Sequence, residues 1–418
     1  MAQKQFNESI TVLHPICCGL DIHKNKISAC LIIQQDDGCS MELREFSAFT
    51  DDLLELREWL LLHQCPIVAM ESTGIYWRPV HNILENSMQV ILVNARHYKN
   101  VPGRKTDIGD SQWLAELLRH GLLKASYIPS AEVRRWRDLV KTRNHYVATE
   151  SDFRRRTQKL FETANIKIDS VVSDLFGVSG RNLMQLLLST STDEITLNDV
   201  QQCLRGRLTQ KGQELYRAIQ GFFGEHHRFI LGHYLHIIDT CRHAIDDIDS
   251  RIKEVMSHYN DILNRLQEIP GVGPVASSAI LARIGTTLDE FQNSAALCSW
   301  AGVCPGNHES AGKRHSGRSP VRKHPLKTLL VEVAWAAVKV KGSYYRDKFY
   351  RLKSRRGAKR AIVAIAHRIL KAIYAIIKHG EHYQELGEEY LAQRNEKLQL
   401  FRLKKLAERH GFELTAKA

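Results

Sequence analysis

Short apolar stretches that alternate with polar residues open the chain, and segments with helical spacing follow them. Strand patterns lie at 16–22, 26–33, 41–46, 66–70 and 89–93. Helical patterns lie at 52–62, 74–84 and 107–121. The first three strands follow one another through short polar turns, which is typical of an antiparallel meander. The alternation of helix and strand after them predicts an α/β sheet with mixed strand directions.

Helical spacing dominates the rest of the chain. Long amphipathic patterns at 131–168 and 237–267 predict two helices that pair antiparallel as a coiled-coil spacer between two domains. Shorter helical patterns lie between them. Further apolar helices are expected at 295–300, 326–338 and 361–377. The region after residue 128 is therefore predicted to be mainly α-helical.

A chain of 418 residues is too long for one ordinary hydrophobic core. We expect an α/β domain at 1–128 and a helical spacer with a helical insertion at 129–265. A mainly α C-terminal domain is expected at 266–380, and a polar helical tail at 381–418. No apolar run reaches the length of a membrane span, and the first residues do not form a signal peptide, so a cytoplasmic protein is expected.

Two carboxylates stand three residues apart at a predicted helix start. Thr106 is a suitable N-cap, and Asp107 falls in the first turn, where exposed N–H groups favour negative charge. Residues i and i+3 share a helix face, so Asp107 and Asp110 are predicted to point at the same ion. Ordinary helix capping is the competing interpretation of this pair, and the local sequence leaves it open.

Two further acids follow apolar strand patterns. Asp21 stands late in the first strand, and Glu71 follows the pattern at 66–70. Because ligands of open α/β sheets collect at the carboxyl ends of strands, these acids are expected to converge with Asp107 and Asp110. Four carboxylates at one place need cations, and their hard oxygen atoms suit Mg²⁺ or Mn²⁺. Two such ions clamp the attacking and leaving oxygens of a phosphoryl transfer.

A net charge of +13 points to a polyanionic partner, most often nucleic acid. The cations cluster at 131–160, in a Gly- and Ser-rich loop at 304–327, and at 344–360. A solvated helix face is the competing interpretation of the first cluster. In the third, tyrosines and a phenylalanine alternate with the cations, which fits either base stacking or a core-facing stripe. Nine scattered cysteines without a C-x-x-C pair indicate reduced thiols rather than disulfides or a zinc site.

The glycines of Pro270-Gly271-Val272-Gly273 lie between two helical patterns, as in a helix-hairpin-helix. They allow a tight turn whose backbone N–H groups approach a phosphate, although a plain helix–turn–helix connection has the same pattern. With the basic clusters, this motif completes the set of candidate nucleic-acid contacts. The set is Arg104, Lys105, Arg134, Arg135, Arg143, Gly271, Gly273, Lys313, Arg314, Arg318, Arg322 and Lys323.

These motifs together resemble the transposases of the IS110 family of insertion sequences, with its IS1111 branch and the related Piv invertases. The resemblance covers nearly the whole chain and rests on the shared order and spacing of six motifs. They are Gly19-Leu-Asp21-Ile-His-Lys24, Met70-Glu71-Ser-Thr-Gly-Ile-Tyr-Trp77, Val93-Asn-Ala-Arg96, Lys105-Thr-Asp107-Ile-Gly-Asp110, Ile269-Pro-Gly-Val-Gly-Pro274 and Ala301-Gly-Val-Cys-Pro305 with the basic loop after it.

The resemblance implies a RuvC-like, ribonuclease H-like N-terminal domain with a Mg²⁺-binding DEDD tetrad, here Asp21, Glu71, Asp107 and Asp110. It also implies a C-terminal transposase domain with a catalytic serine, which aligns to Ser310. The family often has two consecutive serines before its glycines, whereas this chain has Glu309-Ser310-Ala311-Gly312, and Ser316 is a weaker candidate. His308 and the tetrad's metal ions are candidates for activating the serine.

The resemblance further implies a recombinase that is guided by a structured bridge RNA and acts on donor and target DNA. Such proteins assemble as dimers to tetramers, with composite sites shared between protomers, in the bacterial cytoplasm at the nucleoid. Two alternatives keep parts of this interpretation. One is a metal-dependent nuclease or Holliday-junction resolvase in which water attacks and the serine is incidental. The other is a non-catalytic nucleic-acid-binding protein whose carboxylates only cap helices.

Overall fold

The chain divides into two compact units, Met1–Ile128 and Pro129–Ala418. The computed structural model describes residues 11–35, 38–72, 74–94, 109–305, 308–310, 313–316 and 324–412. Within these residues, no helix combines the length and the apolar character that crossing a membrane requires. The finer division at residues 265 and 380 remains a prediction.

A five-stranded sheet forms the centre of the first unit. Its strands are β1 (Ile16–Ile22), β2 (Lys26–Gln35), β3 (Gly38–Ser47), β4 (Ile67–Glu71) and β5 (Gln89–Val93). They are ordered β3-β2-β1-β4-β5, with β1, β2 and β3 antiparallel and with β4 and β5 parallel to β1. The predicted mixed sheet is confirmed. The β2–β3 hairpin extends beyond the apolar patterns because polar residues at its end also pair.

Helices cover both faces of this sheet. Helices α1 (Thr50–Leu62) and α2 (Trp77–Leu84) share a core with Leu20 and its alternate neighbours along β1. Helix α3 (Asp110–Arg119) shares a core with Cys17 on the opposite face. Successive side chains of a strand point to opposite faces, so the almost continuous burial of β1 supplies both layers.

The predicted start of α2 at residue 74 is wrong by three residues. Gly74 has φ +59°, in the left-handed region, and a right-handed helix cannot include that conformation. The helix therefore begins at Trp77.

The second unit opens with two long helices joined by short ones. These are α4 (Ala131–Thr163), α5 (Ile168–Val171), α6 (Val178–Ser189), α7 (Leu197–Cys203), α8 (Gly212–Ala218) and α9 (Glu225–Val255). The long helices α4 and α9 run antiparallel, because Arg143 pairs with Asp249 and Glu150 pairs with Arg242. The short helices form a separate core around one end of this pair.

The single helix predicted at 237–267 is wrong at both ends. Helix α9 begins at Glu225 and ends at Val255, and a 3₁₀ turn at Ser257–Tyr259 separates it from the next helix. Met256 at the break is fully buried. The Tyr259 ring lies 5.2 Å from the Trp136 ring of α4. This packing turns the chain at a place where the apolar spacing alone shows no interruption.

Helices make up most of the remaining chain. They are α10 (Asn260–Gln267), α11 (Pro274–Ile284), α12 (Ser294–Trp300), α13 (Pro325–Ala337), α14 (Tyr344–Arg356), α15 (Ala358–His379) and α16 (Tyr390–Arg409). Helix α15 is their centre, since α10, α12, α13 and α14 all pack on it and Ile365 and Ile369 are fully buried. The mainly helical character predicted for this half of the chain is confirmed.

Candidate active site

Asp21 and Glu71 occupy neighbouring strand ends. β1 and β4 are parallel, and their register pairs Leu20 with Met70, so the next residues on the two strands are Asp21 and Glu71. Both carboxylates are half-buried. The sheet therefore places these two predicted site residues side by side at the edge where its parallel strands end.

Both residues also belong to the face of the sheet that α3 covers. Cys17 of β1 and Ala69 of β4 are buried against Ala115 of α3 on this face. Asp21 and Glu71 continue the same alternation along their strands, four residues after Cys17 and two after Ala69. The apolar part of this face thus ends in two acids.

The path of α3 brings its first turn toward these acids. The Cys17 thiol donates to the carbonyl of Ala115 at 3.5 Å. Two residues nearer Asp21, Gly19 lies against the backbone of Ser111 and Ala115. Helix α3 therefore runs with its N-terminal end directed toward Asp21. Its first residue, Asp110, stands at that end.

Gly109, not Thr106, is the N-cap of α3. The backbone N–H of Gly109 donates to Oε1 of Gln112 at 3.2 Å. The predicted N-cap at Thr106 is therefore wrong, because the helix begins at Asp110, and the common face of Asp107 and Asp110 stays a prediction. Asp107 itself lies outside the described residues. Asp110 keeps the first-turn position, where the helix dipole stabilises a carboxylate.

His23 is a neighbour of the candidate site that the sequence did not single out. Its Nε2 lies 3.2 Å from Oδ2 of Asp21, and its side chain is 66% exposed against 22% for Asp21. The signal was the spacing Asp-x-His at a strand end, where residues i and i+2 share a side. His23 thus covers the Asp21 carboxylate from the solvent side.

The donor chemistry of this edge fits a hard divalent cation, because carboxylate oxygens are the ligands that Mg²⁺ and Mn²⁺ prefer. The described members of the predicted set are Asp21, Glu71 and Asp110. Across the described ranges, no three His, Cys, Asp or Glu side chains stand close enough together to hold a metal ion.

Ser310 lies at the end of a short strand rather than in the open loop that the sequence predicted. Strands β6 (His308–Ser310) and β7 (Lys313–Ser316) are antiparallel, and their register pairs Ser310 with Lys313. The same register pairs His308 with Ser316, the weaker serine candidate. Arg318, Arg322 and Lys323 of the basic loop lie outside the described residues, as do Arg104 and Lys105 of the first unit.

Helices α10 and α11 form the two helices predicted on either side of the glycine turn, within residues 260–284. Gly271 has φ +85°, and a β-carbon there would collide with the backbone of Val333 and Ala337 in α13. Gly273 is the exposed N-cap of α11, with open space beside it. The two predicted contacts therefore differ, because Gly271 is needed for packing and only Gly273 faces solvent.

The predicted contacts on α4 differ in a similar way. The Arg143 guanidinium donates to both carboxylate oxygens of Asp249 at 2.5 and 2.9 Å, so it joins α4 to α9. This ion pair raises the pKa of Arg143. Arg134 donates to the carbonyl of Pro129 at 2.9 Å, whereas Arg135 is exposed. A structural role for Arg143 was not indicated by the sequence.

The burial of the aromatic residues of α14 decides between base stacking and packing in the core, the two interpretations that the sequence left open. Tyr344, Tyr345 and Phe349 are buried, so the core-facing interpretation holds for them. Tyr350 is 50% exposed, and the cationic groups of Arg346 and Lys353 lie 5.5 and 5.7 Å from its ring centre. Tyr350 alone among these four keeps a surface on which a base could stack.

Comparison with known proteins relates both halves of the chain to transposases. A transposase model for IS110-type DEDD proteins matches residues 18–166. A second model, described as the transposase IS116/IS110/IS902 family, matches residues 263–351. Asp21, Glu71, Asp107 and Asp110 all fall within the first match, and Ser310 falls within the second.

Individual transposases are also similar to this chain in sequence. The transposase for insertion sequence element IS1111A of Coxiella burnetii is 32% identical over 145 residues, which is 34% of this chain and 39% of that protein. The mini-circle putative transposase for IS117 of Streptomyces coelicolor is 26% identical over 184 residues, 44% of this chain and 43% of the relative.

The pilin gene-inverting protein of Moraxella bovis is 27% identical over 157 residues, 35% of this chain and 48% of the relative. The chain thus spans less than half the length of each of these relatives. The two family models lie in the same order as the six sequence motifs and together cover more than half of the chain. The chain belongs to the IS110 family of transposases.

Proposed function

We propose that the chain is a DNA transposase that cleaves and rejoins donor and target DNA under the guidance of a bridge RNA. The observation that carries this proposal is the edge of the sheet where Asp21 and Glu71 stand on adjacent parallel strands and α3 directs Asp110 toward them. Two acids on neighbouring strand ends of an α/β sheet, with a third at the start of a helix directed toward them, suit phosphoryl transfer. The family membership supplies the DNA substrate.

Asp21, Glu71, Asp107 and Asp110 hold Mg²⁺, or Mn²⁺, in this proposal. A divalent ion so bound stabilises the negative charge that develops on the scissile phosphate. Asp110 contributes its carboxylate from the first turn of α3. His23 holds the Asp21 carboxylate from the solvent side.

Ser310 is the proposed nucleophile. Its hydroxyl oxygen bonds to the phosphorus while one P–O bond of the DNA backbone breaks. The serine loses its proton, and the released strand end gains one. The phosphoserine link conserves the bond energy that rejoining needs. In this proposal the protein is a homo-oligomer with composite sites. The acids of one protomer act together with the serine of another protomer.

Two measurements test these assignments. Glu71→Gln and Asp110→Asn are each expected to reduce cleavage of target DNA by at least about a hundredfold in Mg²⁺, because each removes transition-state charge stabilisation. The matched control is Glu85→Gln, an acid at the end of α2 that is not proposed to take part. Full cleavage by Glu71→Gln and Asp110→Asn would overturn the metal-site assignment.

The covalent step is tested separately. Ser310→Ala should abolish protein that is covalently attached to cleaved DNA, whereas Ser316→Ala should retain it. Cleavage by the unaltered protein without any covalent adduct would favour a hydrolytic nuclease or junction resolvase, in which water is the nucleophile. Recombination that survives Asp110→Asn would instead favour a non-catalytic nucleic-acid-binding protein.

A further inference from the structure

Three cations from three helices meet on the surface of the second unit. Lys348 lies on α14, Arg368 on α15 and Arg394 near the start of α16. Burial lowers the pKa of Lys348, and the charges of Arg368 and Arg394 lower it further, as do those of Arg355 and Arg351 on its own helix. In the described part of the chain, no carboxylate lies within ion-pair distance of any of the three. We call these residues the three-helix cluster.

Aromatic packing holds the cluster in place. The Arg368 guanidinium lies 5.8 Å from the centre of the Tyr344 ring. That ring lies 5.9 Å from the ring of Tyr390, the first residue of α16. Leu391 beside it is buried. The N-terminal turn of α16 is thus docked on α14, which places Arg394 near the other two cations.

The acids near the cluster are committed elsewhere. Asp347 accepts both of its hydrogen bonds at 2.9 Å from Nε of Arg351, one turn along the same helix. Glu385 accepts from the backbone N–H of Tyr344 at 2.7 Å and from the Tyr383 hydroxyl at 3.1 Å. Both carboxylates therefore serve local structure, and no ion pair among the described residues compensates the positive charge of the cluster.

A solvated basic helix face does not account for this arrangement. Such a face consists of cations on one helix that spread into water, whereas these three come from different helices and Lys348 is half-buried among them. Like charges that are gathered and partly desolvated lower stability unless an anion joins them. Arginine and lysine together are the side chains that bind phosphate.

We propose that Lys348, Arg368 and Arg394 form a binding site for the phosphodiester backbone of nucleic acid. The proposal rests on the proposed function, which requires nucleic acid as the partner, and assigns a role to α16. Contacts of this kind to phosphates position the nucleic acid and carry no sequence information. Either the DNA substrate or the guide RNA presents this chemistry, and the two sources are separated by experiment.

The test measures how binding depends on salt. The full chain is titrated against a labelled DNA duplex and, separately, a labelled single-stranded RNA, from about 50 to about 200 mM salt. For Arg368→Gln/Arg394→Gln, the slope of log K against log salt should fall by roughly 1.8 with duplex DNA or roughly 1.4 with single-stranded RNA, from two lost phosphate contacts. If the slope falls with only one of the two probes, that result identifies whether DNA or RNA binds at the cluster.

A matched control lies on the same helix. Lys378 is paired with Asp289 at 2.6 Å, so Lys378→Gln removes one charge as Arg368→Gln does but should leave the slope unchanged. Arg368→Lys should keep the slope. The unfolding temperature of the double variant is measured beside the titration, because Arg368→Gln also removes the contact with the Tyr344 ring and only folded protein reports on binding.

Two results would overturn the inference. One is a slope that the double variant does not change with either probe. The other is a fall in slope no larger than that of Lys378→Gln. Since Asp110 and Glu71 are untouched in these variants, metal-dependent DNA cleavage that persists alongside either result would leave the proposed function standing.

Discussion

The backbone carbonyl of Ser111 lies directly against Gly19, so closely that a β-carbon at Gly19 would overlap it and the N–H of Ala115. A β-carbon would also stand 3.0 Å from Cβ of Leu114. The close packing of α3 on β1 therefore requires a residue without a side chain at position 19. Because Asp21 is two residues along β1 and Asp110 precedes Ser111, this contact sets the separation of two proposed metal ligands.

Gly19→Ala is expected to push α3 away from the sheet and with it Asp110. Because both obstacles are backbone atoms that cannot rotate aside, the substitution should cost about 1–3 kcal/mol of unfolding free energy. Metal-dependent DNA cleavage should fall by more than that loss of folded protein explains. Urea unfolding and cleavage assays on the same preparation separate the two effects.

Gly109→Ala is the matched control. It lies beside Asp110, has an ordinary φ of −59°, and its nearest obstacle is Oε1 of Gln112 at 3.8 Å. This variant should keep both stability and cleavage. Equal losses from Gly19→Ala and Gly109→Ala would show that the close packing at Gly19 is not what positions Asp110.

The strands of the first unit were predictable because short apolar runs bounded by polar residues mark them. β1 and β5 have the predicted bounds of 16–22 and 89–93. The start of α3 was not predictable, because Thr106 has the chemistry of an N-cap but the helix is capped at Gly109. Capping preferences are worth about 1 kcal/mol, which tertiary packing can outweigh.

Contacts between residues that are far apart in the sequence could not be predicted either. The end of α9 follows from packing around Met256 and Tyr259, and no proline or glycine marks it. The partner of Arg143 lies 106 residues away, so its side chain looked available for nucleic acid. In the candidate site, strand ends predicted Asp21 and Glu71 as neighbours, but the closeness of α3 at Gly19 depends on backbone atoms, which a sequence pattern does not report.

Gly271→Ala should destabilise the second unit. The residue has φ +85°, where an L side chain is strained, and a β-carbon would meet the backbone of Val333 and Ala337. Together these effects should cost about 2–4 kcal/mol, measured as a lower urea midpoint. Gly273→Ala should cost less than about 1 kcal/mol, because Gly273 is exposed with open space beside it.

The two glycines also separate packing from nucleic-acid contact. If the turn approaches a phosphate, Gly273→Ala should weaken DNA binding while leaving the urea midpoint nearly unchanged. A Gly271→Ala variant as stable as the unaltered chain would contradict the packing role of Gly271 in the contact between the turn and α13.

The Arg143–Asp249 pair should stabilise the antiparallel contact of α4 and α9. Its bidentate geometry at 2.5 and 2.9 Å, with the arginine side chain 17% exposed, predicts a coupling energy of about 1–2 kcal/mol. A double-mutant cycle with Arg143→Gln and Asp249→Asn measures it. The exposed Arg251–Glu254 pair, at 58% and 69%, should give less than about 0.5 kcal/mol in a parallel cycle.

Equal coupling energies for the two pairs would contradict this assignment. If Arg143 also contacts nucleic acid, Arg143→Gln should lower the salt dependence of DNA binding, whereas Asp249→Asn should not. A change confined to unfolding would leave Arg143 with a purely structural role.

Buried thiols of the first unit should make stability fall in alkaline solution. Burial raises the pKa of Cys17 and of Cys30 to about 12 and that of Cys65 to about 11, from an ordinary 9.0. A pKa raised in the folded state means that stability is fully present below about pH 9 and is lost as the pH rises through about 11–12. The urea midpoint should therefore fall steadily above about pH 9.

Replacing all three with alanine should flatten this dependence, whereas replacing the exposed Cys39 should not. An unchanged alkaline loss in the triple variant would assign it to other groups, such as the buried Tyr345, whose pKa burial also raises. Near neutral pH, a thiol reagent should modify Cys39 first and reach Cys17, Cys30 and Cys65 only on unfolding, because a buried neutral thiol is a poor nucleophile. Rapid labelling of Cys17 and Cys30 in the folded chain would show that the sheet opens locally beneath α3.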